Sequence, residues 1–177
     1  MPFRGLIQSW HDFYIVAGTG SATLVGLLFV SLSLHLRTVV TRSEVRALAR
    51  ATLVNFALVL LVALFVVIPQ DASSVGLQLE ISGAVSAVII AAPVVAASRS
   101  RGRIVPTPLL VARFVLSVLG YAGIVIAGGL LTAGSYSAGF ASLASATLIL
   151  LLISLRNTWD LLVSVGEATM ELDARQD

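Results

Sequence analysis

Two polar residues that interrupt apolar segments are the first candidates for chemistry in this sequence. Asn55 lies about two turns inside the second apolar segment, and Glu80 lies near the start of the third. Asn55 is either a polar point in a substrate or ion path or the donor and acceptor of an interhelical hydrogen bond. We favour the hydrogen bond, because no charged residue accompanies Asn55 in the membrane. Glu80 either carries protons or ions within the membrane or reaches the outer headgroups.

Other reactive groups form no recognisable site. The chain has no cysteine, which excludes disulfides, thiolate metal ligands and cysteine nucleophiles. It has no H-E-x-x-H zinc motif, no G-x-S-x-G nucleophile motif, no phosphate-binding loop and no pair of aspartates within an apolar segment. We therefore predict no catalytic residue, no metal site and no cofactor, and a protein that is not an enzyme.

Small residues recur at spacings that place them together on helix faces. Such faces allow close approach of helix backbones, which matters in a bilayer because lipid tails are as apolar as leucine. We predict that these faces pack helices together, within one chain or between copies. They comprise Gly18, Ala22 and Gly26 in the first segment, Gly120, Gly123 and Ala127 in the fourth, and Ala138, Ser142 and Ala146 in the fifth.

Three arginines recur every four residues at the start of the second segment. The tetrapeptide T-R-S-E over 41–44 matches a capping box, which predicts that the helix begins there. Such a helix would be about 42 Å long, against about 30 Å for the membrane core. Arg42, Arg46 and Arg50 would then share a face of the turns that project from the membrane. Either they only set topology, or they also bind anionic lipid or an acidic partner segment such as the tail.

The composition places these residues in a membrane protein. Apolar residues make up 58% of the 177 residues, charged residues make up 11%, and the mean hydropathy is +1.00. Soluble domains average about 45–50% apolar residues and about 25% charged residues. Five segments have the roughly 20 apolar residues that a membrane helix needs. We predict one all-α domain, a polytopic bundle of five transmembrane helices, with a short cytoplasmic tail over 156–177. The spans are about 13–36, 48–68, 75–97, 109–131 and 138–155.

The basic residues orient these segments. All 11 are arginines; most lie in the first and third connections, whereas the second and fourth connections have none. Because basic loops stay in the cytoplasm, the N-terminus should be outside and the C-terminus inside. Topology thus explains the pI near 9.7 without a nucleic-acid partner. Arginine without lysine, beside abundant Ala, Val and Leu, suggests a GC-rich bacterial genome, so we predict the bacterial cytoplasmic membrane.

Both ends of the membrane region carry a recognisable sequence. The opening WHDFYIVAGTGSATLVGLLFVSLSLHLR has an aromatic cluster followed by A-x-L-x-G-L-x-F-V and S-L-x-L, and the last segment closes on NTWDLLV. These features resemble the first span and the final-span ending of a group of small uncharacterised multipass membrane proteins from bacteria, especially actinobacteria. The resemblance implies a multipass architecture. Because the group has no established activity, it implies no catalytic residue.

These observations predict a multi-pass membrane protein that acts as a non-catalytic interaction or regulatory subunit. It would be surrounded by the lipid bilayer and would pack through its small-residue faces against further copies or another membrane protein. The alternative is a small oligomeric channel or transporter that uses Glu80 or Asn55.

Overall fold

The computed structural model describes residues 3–34, 43–99 and 107–173, and within these residues the protein is an all-α bundle without strands. Five helices were predicted, and five are present, each long and apolar enough to cross a membrane. They are α1 (Phe3–Leu34), α2 (Ser43–Val67), α3 (Ala72–Arg99), α4 (Thr107–Thr132) and α5 (Tyr136–Asp173).

All five helices are longer than their predicted spans, α1 and α5 by the most. The span predicted at 13–36 belongs to a helix that begins at Phe3, because the ring of Phe3 packs against the rings of Tyr136 and Phe140 at centroid distances of 5.4 and 6.0 Å. The span predicted at 138–155 belongs to α5, which has 38 residues and continues to Asp173. At about 1.5 Å per residue α5 is about 57 Å long, so its last turns extend beyond a core of about 30 Å.

The helices form a ring in chain order that α5 closes. Each helix packs against the next, and α5 also contacts both α1 and α2. Half of the apolar stretch of α2 and half of that of α5 are buried, whereas 22% of that of α1 is buried. Thus α2 and α5 form the centre of the bundle, and α1 lies at its periphery with most of its surface exposed.

Two short connections join helices at one end of the bundle, which we call the hairpin end. Gly134, with φ of +81°, ends α4. The N–H of Ser135 donates to the carbonyl of Leu130 at 2.8 Å, and the N–H of Gly134 donates to that of Leu131 at 3.2 Å. This is a Schellman motif, in which glycine adopts the left-handed conformation without a Cβ penalty. The turn sends α5 back along α4.

Asp71 caps α3 in the other connection. Its carboxylate accepts hydrogen bonds from the Ser74 hydroxyl at 2.7 Å and from the Ser74 backbone N–H at 3.0 Å. These bonds, the hydroxyl first, lower the pKa of the Asp71 carboxyl below its ordinary value. Beside this cap, the side-chain amides of Gln70 and Gln78 bond each other in both directions, at 2.9 and 3.1 Å. The connection is therefore fixed by its own polar side chains.

Glycines bring α3 and α4 into direct backbone contact near the hairpin end. A Cβ at Gly128 would lie 2.6 Å from the carbonyl oxygen of Gly76, and a Cβ at Gly76 would lie 2.7 Å from that of Gly128. Further along α3, a Cβ at Gly83 would lie 3.2 Å from the carbonyl oxygen of Tyr121. No larger residue fits at Gly76 or Gly128 unless the helices separate.

Candidate functional site

Asn55 is at the centre of a buried hydrogen-bond cluster that links α2 to α4. Its side chain has no exposed surface. The Asn55 amide nitrogen Nδ2 donates to Ser117 Oγ at 3.2 Å, and the Tyr121 hydroxyl donates to Asn55 Oδ1. Ser117 and Tyr121 are one turn apart on α4, so both point toward the same side chain. The interpretation of Asn55 as an interhelical hydrogen bond is confirmed.

The cluster lies in the more polar half of the interior. Asn55 is about 18 Å from the end of α2 at Val67. Toward the hairpin end the core consists of apolar side chains, including Val62, Leu131 and Phe140. The other end carries Arg46, and we call it the arginine end. Between mid-depth and the arginine end the interior also contains buried polar side chains, which include Thr52, Asn55, Ser117, Thr147, Ser154 and Asn157.

Several of these polar groups bond within their own helix. The Thr52 hydroxyl donates to the carbonyl of Leu48 at 2.9 Å, and the Thr147 hydroxyl donates to that of Leu143 at 2.8 Å. In contrast, Ser154 Oγ and Asn157 Oδ1 are buried without a hydrogen-bond partner in the described part of the chain. They are three residues apart and therefore share one face of α5.

Glu80 occupies a different position. Its side chain is partly exposed on α3 and lies over two glycines of α4. A Cβ at Gly128 would lie 2.8 Å from Glu80 Cγ, and a Cβ at Gly129 would lie 3.8 Å from Glu80 Oε1. No ion pair involves Glu80 among the described residues. At about 12 Å from the start of α3, it takes no part in the Asn55 cluster.

The predicted small-residue faces of α4 and α5 meet each other. Leu150 packs against Gly120, where a Cβ would lie 2.6 Å from a Leu150 methyl carbon. A Cβ at Gly123 would lie 3.0 Å from the Cβ of Ala146. The Ser142 hydroxyl donates to the Gly123 carbonyl at 3.2 Å. Ala127 is also fully buried.

Ala138 is exposed in the single chain and does not belong to this face. Its neighbour Gly139 is buried instead, and a Cβ there would lie 2.8 Å from a Leu131 methyl carbon and 3.4 Å from the Ala127 carbonyl oxygen. Within the single chain, the contact at this end of α5 is thus made by Gly139, one residue after the predicted Ala138. The reason is rotation: adjacent helical residues differ by about 100°, which separates a contact position from a lipid-facing one.

The first predicted face divides into an inward and an outward part. Gly18 packs against Ala63 of α2, whose Cβ is 2.7 Å from the place of a Gly18 Cβ. Ala22 and Gly26 are exposed, and nothing lies within 4 Å of the place of a Gly26 Cβ. Positions four apart drift by about 40° per step, so Ala22 and Gly26 turn away from α2. They do not pack within the bundle, whereas Leu28 on the same helix is buried.

Two of the three arginines of the second segment share an exposed face. Arg46 and Arg50 are exposed on α2, and neither has a hydrogen bond or ion pair among the described residues. Arg42 lies outside the described residues. The described part of α2 has 25 residues and is about 37 Å long, which exceeds the core by about one turn. Arg46 and Arg50 both lie near the start of α2, at the arginine end.

Some contacts of the site were not predicted. The partners of Asn55 could have been suspected, because Ser117 and Tyr121 are polar residues four apart in an apolar segment. The contact of Gly76 and Gly83 with α4 could also have been suspected, because glycines seven residues apart lie on one face of a helix. No sequence signal identifies the hydrogen bond from the Ser21 hydroxyl to the Phe56 carbonyl, at 2.6 Å, because one hydroxyl among many leaves its partner undetermined.

The described residues contain no group of three or more His, Cys, Asp or Glu side chains that could hold a metal ion. The fold defines an all-α bundle whose five helices are suited to crossing a membrane. No protein-family model matches the sequence, and neither a curated protein nor a solved structure is similar to it.

Proposed function

We propose that the protein is a non-catalytic interaction subunit of a bacterial cytoplasmic membrane and that α1 binds a transmembrane helix of its partner. The observation that supports this proposal is a patch of small residues on the outward side of α1. Thr19, Ala22, Thr23 and Gly26 are all exposed, and their 3-1-3 spacing keeps them on one face over two turns. We call this set the α1 outer face.

The chemistry of the α1 outer face suits helix association. The Thr23 hydroxyl donates to the Thr19 carbonyl at 3.0 Å, so its polar hydrogen is already bonded within the helix. Larger exposed side chains, among them Ile15 and Val30, lie above and below the patch. A second helix could therefore approach the α1 backbone closely between them. Close packing is the main source of helix affinity in lipid.

A second copy of the chain is the simplest partner to test. Fluorescence energy transfer between labelled copies in vesicles, measured as lipid is added, reports self-association. Gly26→Leu should weaken association at least tenfold, because the new side chain occupies the contact. Gly20→Leu is the matched control, since Gly20 is also an exposed glycine of α1 with nothing within 4 Å. It lies outside the α1 outer face and should have little effect.

If neither variant changes energy transfer, or if both change it equally, the α1 outer face is not the contact between copies. A cysteine that replaces Thr23 then tests for a different partner. The sequence has no other cysteine, so every crosslink starts from the introduced one. Crosslinking from this cysteine in native membranes should capture another membrane protein and should weaken with Gly26→Leu. Absence of any such product would refute the proposal.

The channel or transporter alternative has less support. Both ends of the Asn55 amide are occupied by hydrogen bonds to α4, which supports a structural role for this residue. For Glu80 the test is flux: proton, sodium, potassium or chloride movement into vesicles that exceeds empty vesicles and changes in Glu80→Gln would favour the alternative.

A further inference from the structure

A groove runs along the lipid-facing side of α5 at the arginine end. It is a shallow, largely open depression of about 500 Å³ with mostly apolar walls, formed between side chains of α5. Its lining residues are Leu152, Leu155, Arg156, Thr158, Trp159 and Leu162. The groove is distinct from the arginine face of α2 and from the α1 outer face.

The depth of the groove matches a membrane boundary. At about 1.5 Å per residue from Tyr136, Leu152 lies about 24 Å and Arg156 about 30 Å from the hairpin end. Trp159 follows at about 34 Å. Because the hydrocarbon core is about 30 Å thick, Leu152 and Leu155 lie at acyl-chain depth, whereas Arg156 and Trp159 lie at headgroup depth. Trp159 is 67% exposed, as expected for an interfacial tryptophan.

Arg156 supplies an available positive charge at this depth. It is exposed and has no hydrogen bond or ion pair with the described residues, which include Asp160 one turn further on. The Thr158 hydroxyl donates to the Ser154 carbonyl at 2.8 Å, which leaves its oxygen only as an acceptor. Arg156 is therefore the cationic hydrogen-bond donor of the groove.

We propose that this groove binds one anionic phospholipid from the adjacent leaflet. The lipid phosphate pairs with the Arg156 guanidinium, one acyl chain packs along Leu152 and Leu155, and the glycerol region lies beside Trp159. The planar guanidinium forms paired hydrogen bonds with phosphate oxygens. The apolar wall explains why a lipid, rather than a free phosphate, is the ligand. An arginine near an anionic surface contributes about a fivefold preference.

The two tryptophans of the chain allow a local measurement. Trp10→Phe leaves Trp159 as the only tryptophan, and Trp10 is at the opposite end of the bundle. The full chain is placed in vesicles with 20 mol% phosphatidylglycerol in phosphatidylcholine, with bromine on the acyl chains of one lipid at a time. The bromines are placed near the glycerol end of the chains, where they quench a tryptophan that lies beside the glycerol region. A fivefold preference predicts anionic lipid in about half of the grooves, against about one-fifth without preference.

The variants decide whether Arg156 creates this preference. Arg156→Gln should return quenching by brominated phosphatidylglycerol to the level expected from its bulk fraction, whereas Arg156→Lys should retain most of the preference. Arg50→Gln is the matched control, because it removes an exposed arginine of α2 at the same end. It should leave Trp159 quenching unchanged.

Two results would overturn the proposal. In the first, brominated phosphatidylglycerol quenches Trp159 of the Trp10→Phe protein no more than its bulk fraction predicts. In the second, Arg50→Gln lowers the preference as much as Arg156→Gln does, which would assign the effect to the general surface charge of the protein rather than to the groove. Circular dichroism of each variant confirms that the helices are intact.

Discussion

Removing the hydroxyl of Tyr121 tests the buried cluster that joins α2 to α4. Tyr121→Phe keeps the ring and deletes one interhelical hydrogen bond, a type that averages about 0.6 kcal/mol and reaches about 1.7 kcal/mol in membrane proteins. It also leaves Asn55 Oδ1 buried without a donor, and such an orphaned group costs about 1–3 kcal/mol. The two figures describe overlapping effects, because removing one partner of a bond is what orphans the other, and they agree on a loss of about 1–2 kcal/mol in the free energy of unfolding.

A double-mutant cycle separates this bond from other effects of the substitution. Asn55→Leu removes the acceptor at similar volume, so Tyr121→Phe in that background should be nearly neutral. The coupling energy should therefore be at least about 1 kcal/mol. Unfolding by increasing SDS in mixed micelles, followed by tryptophan fluorescence and circular dichroism, provides the four free energies.

Tyr14→Phe is the matched control for the cycle. The Tyr14 hydroxyl is buried but has no hydrogen-bond partner among the described residues, so its removal should be neutral or stabilising. If Tyr121→Phe destabilises the protein equally with and without Asn55, the hydrogen bond does not couple α2 to α4, and the reasoning is wrong.

Three further predictions concern backbone contact, pH and topology. Gly128→Ala should lower the free energy of unfolding by about 1–3 kcal/mol, because the methyl group meets a backbone carbonyl; Gly20→Ala, where the space is open, should instead raise it by about 0.5–1 kcal/mol through helix propensity. The lowered pKa of Asp71 means that its stabilisation is complete above the ordinary carboxyl pKa and is lost as pH falls through the folded value. The melting temperature of Asp71→Asn should therefore fall less between pH 5 and pH 2 than that of the parent; equal slopes would contradict the cap. A cysteine replacing Ser135 should react with an impermeant thiol reagent outside intact cells, and one replacing Ser100 should not; the reverse pattern would invert the proposed orientation.

The five helices could be predicted because each requires only a long apolar run. Their ends were less predictable, since they depend on contacts with distant residues. Phe3 extends α1 because it packs against Tyr136 and Phe140, which lie far away in sequence. A hydropathy window contains no information about such contacts, so it does not show that α1 begins ten residues before the predicted span.

The type of interaction that Asn55 makes could be predicted from the sequence, but its partners could not. Asn55 was correctly interpreted as an interhelical hydrogen bond, but the choice of Ser117 and Tyr121 depends on how α4 is rotated. The same limitation applies to small residues. Gly18, Ala22 and Gly26 have identical spacing, yet only Gly18 packs on α2, because helical drift carries the other two toward the lipid. Spacing indicates a face, whereas packing partners depend on helix rotation.

The Asn55 cluster also bears on how the chain is made. Asn55 is 62 residues before Ser117 and 66 before Tyr121, and ribosomes add about 5–20 residues per second. For roughly 3–13 seconds, Asn55 has emerged from the ribosome while its partners have not. During this interval its amide needs a substitute hydrogen-bond partner, because an unsatisfied polar group in lipid is costly. Water at the translocation machinery, or delayed release of α2 from it, would meet this need until α4 arrives.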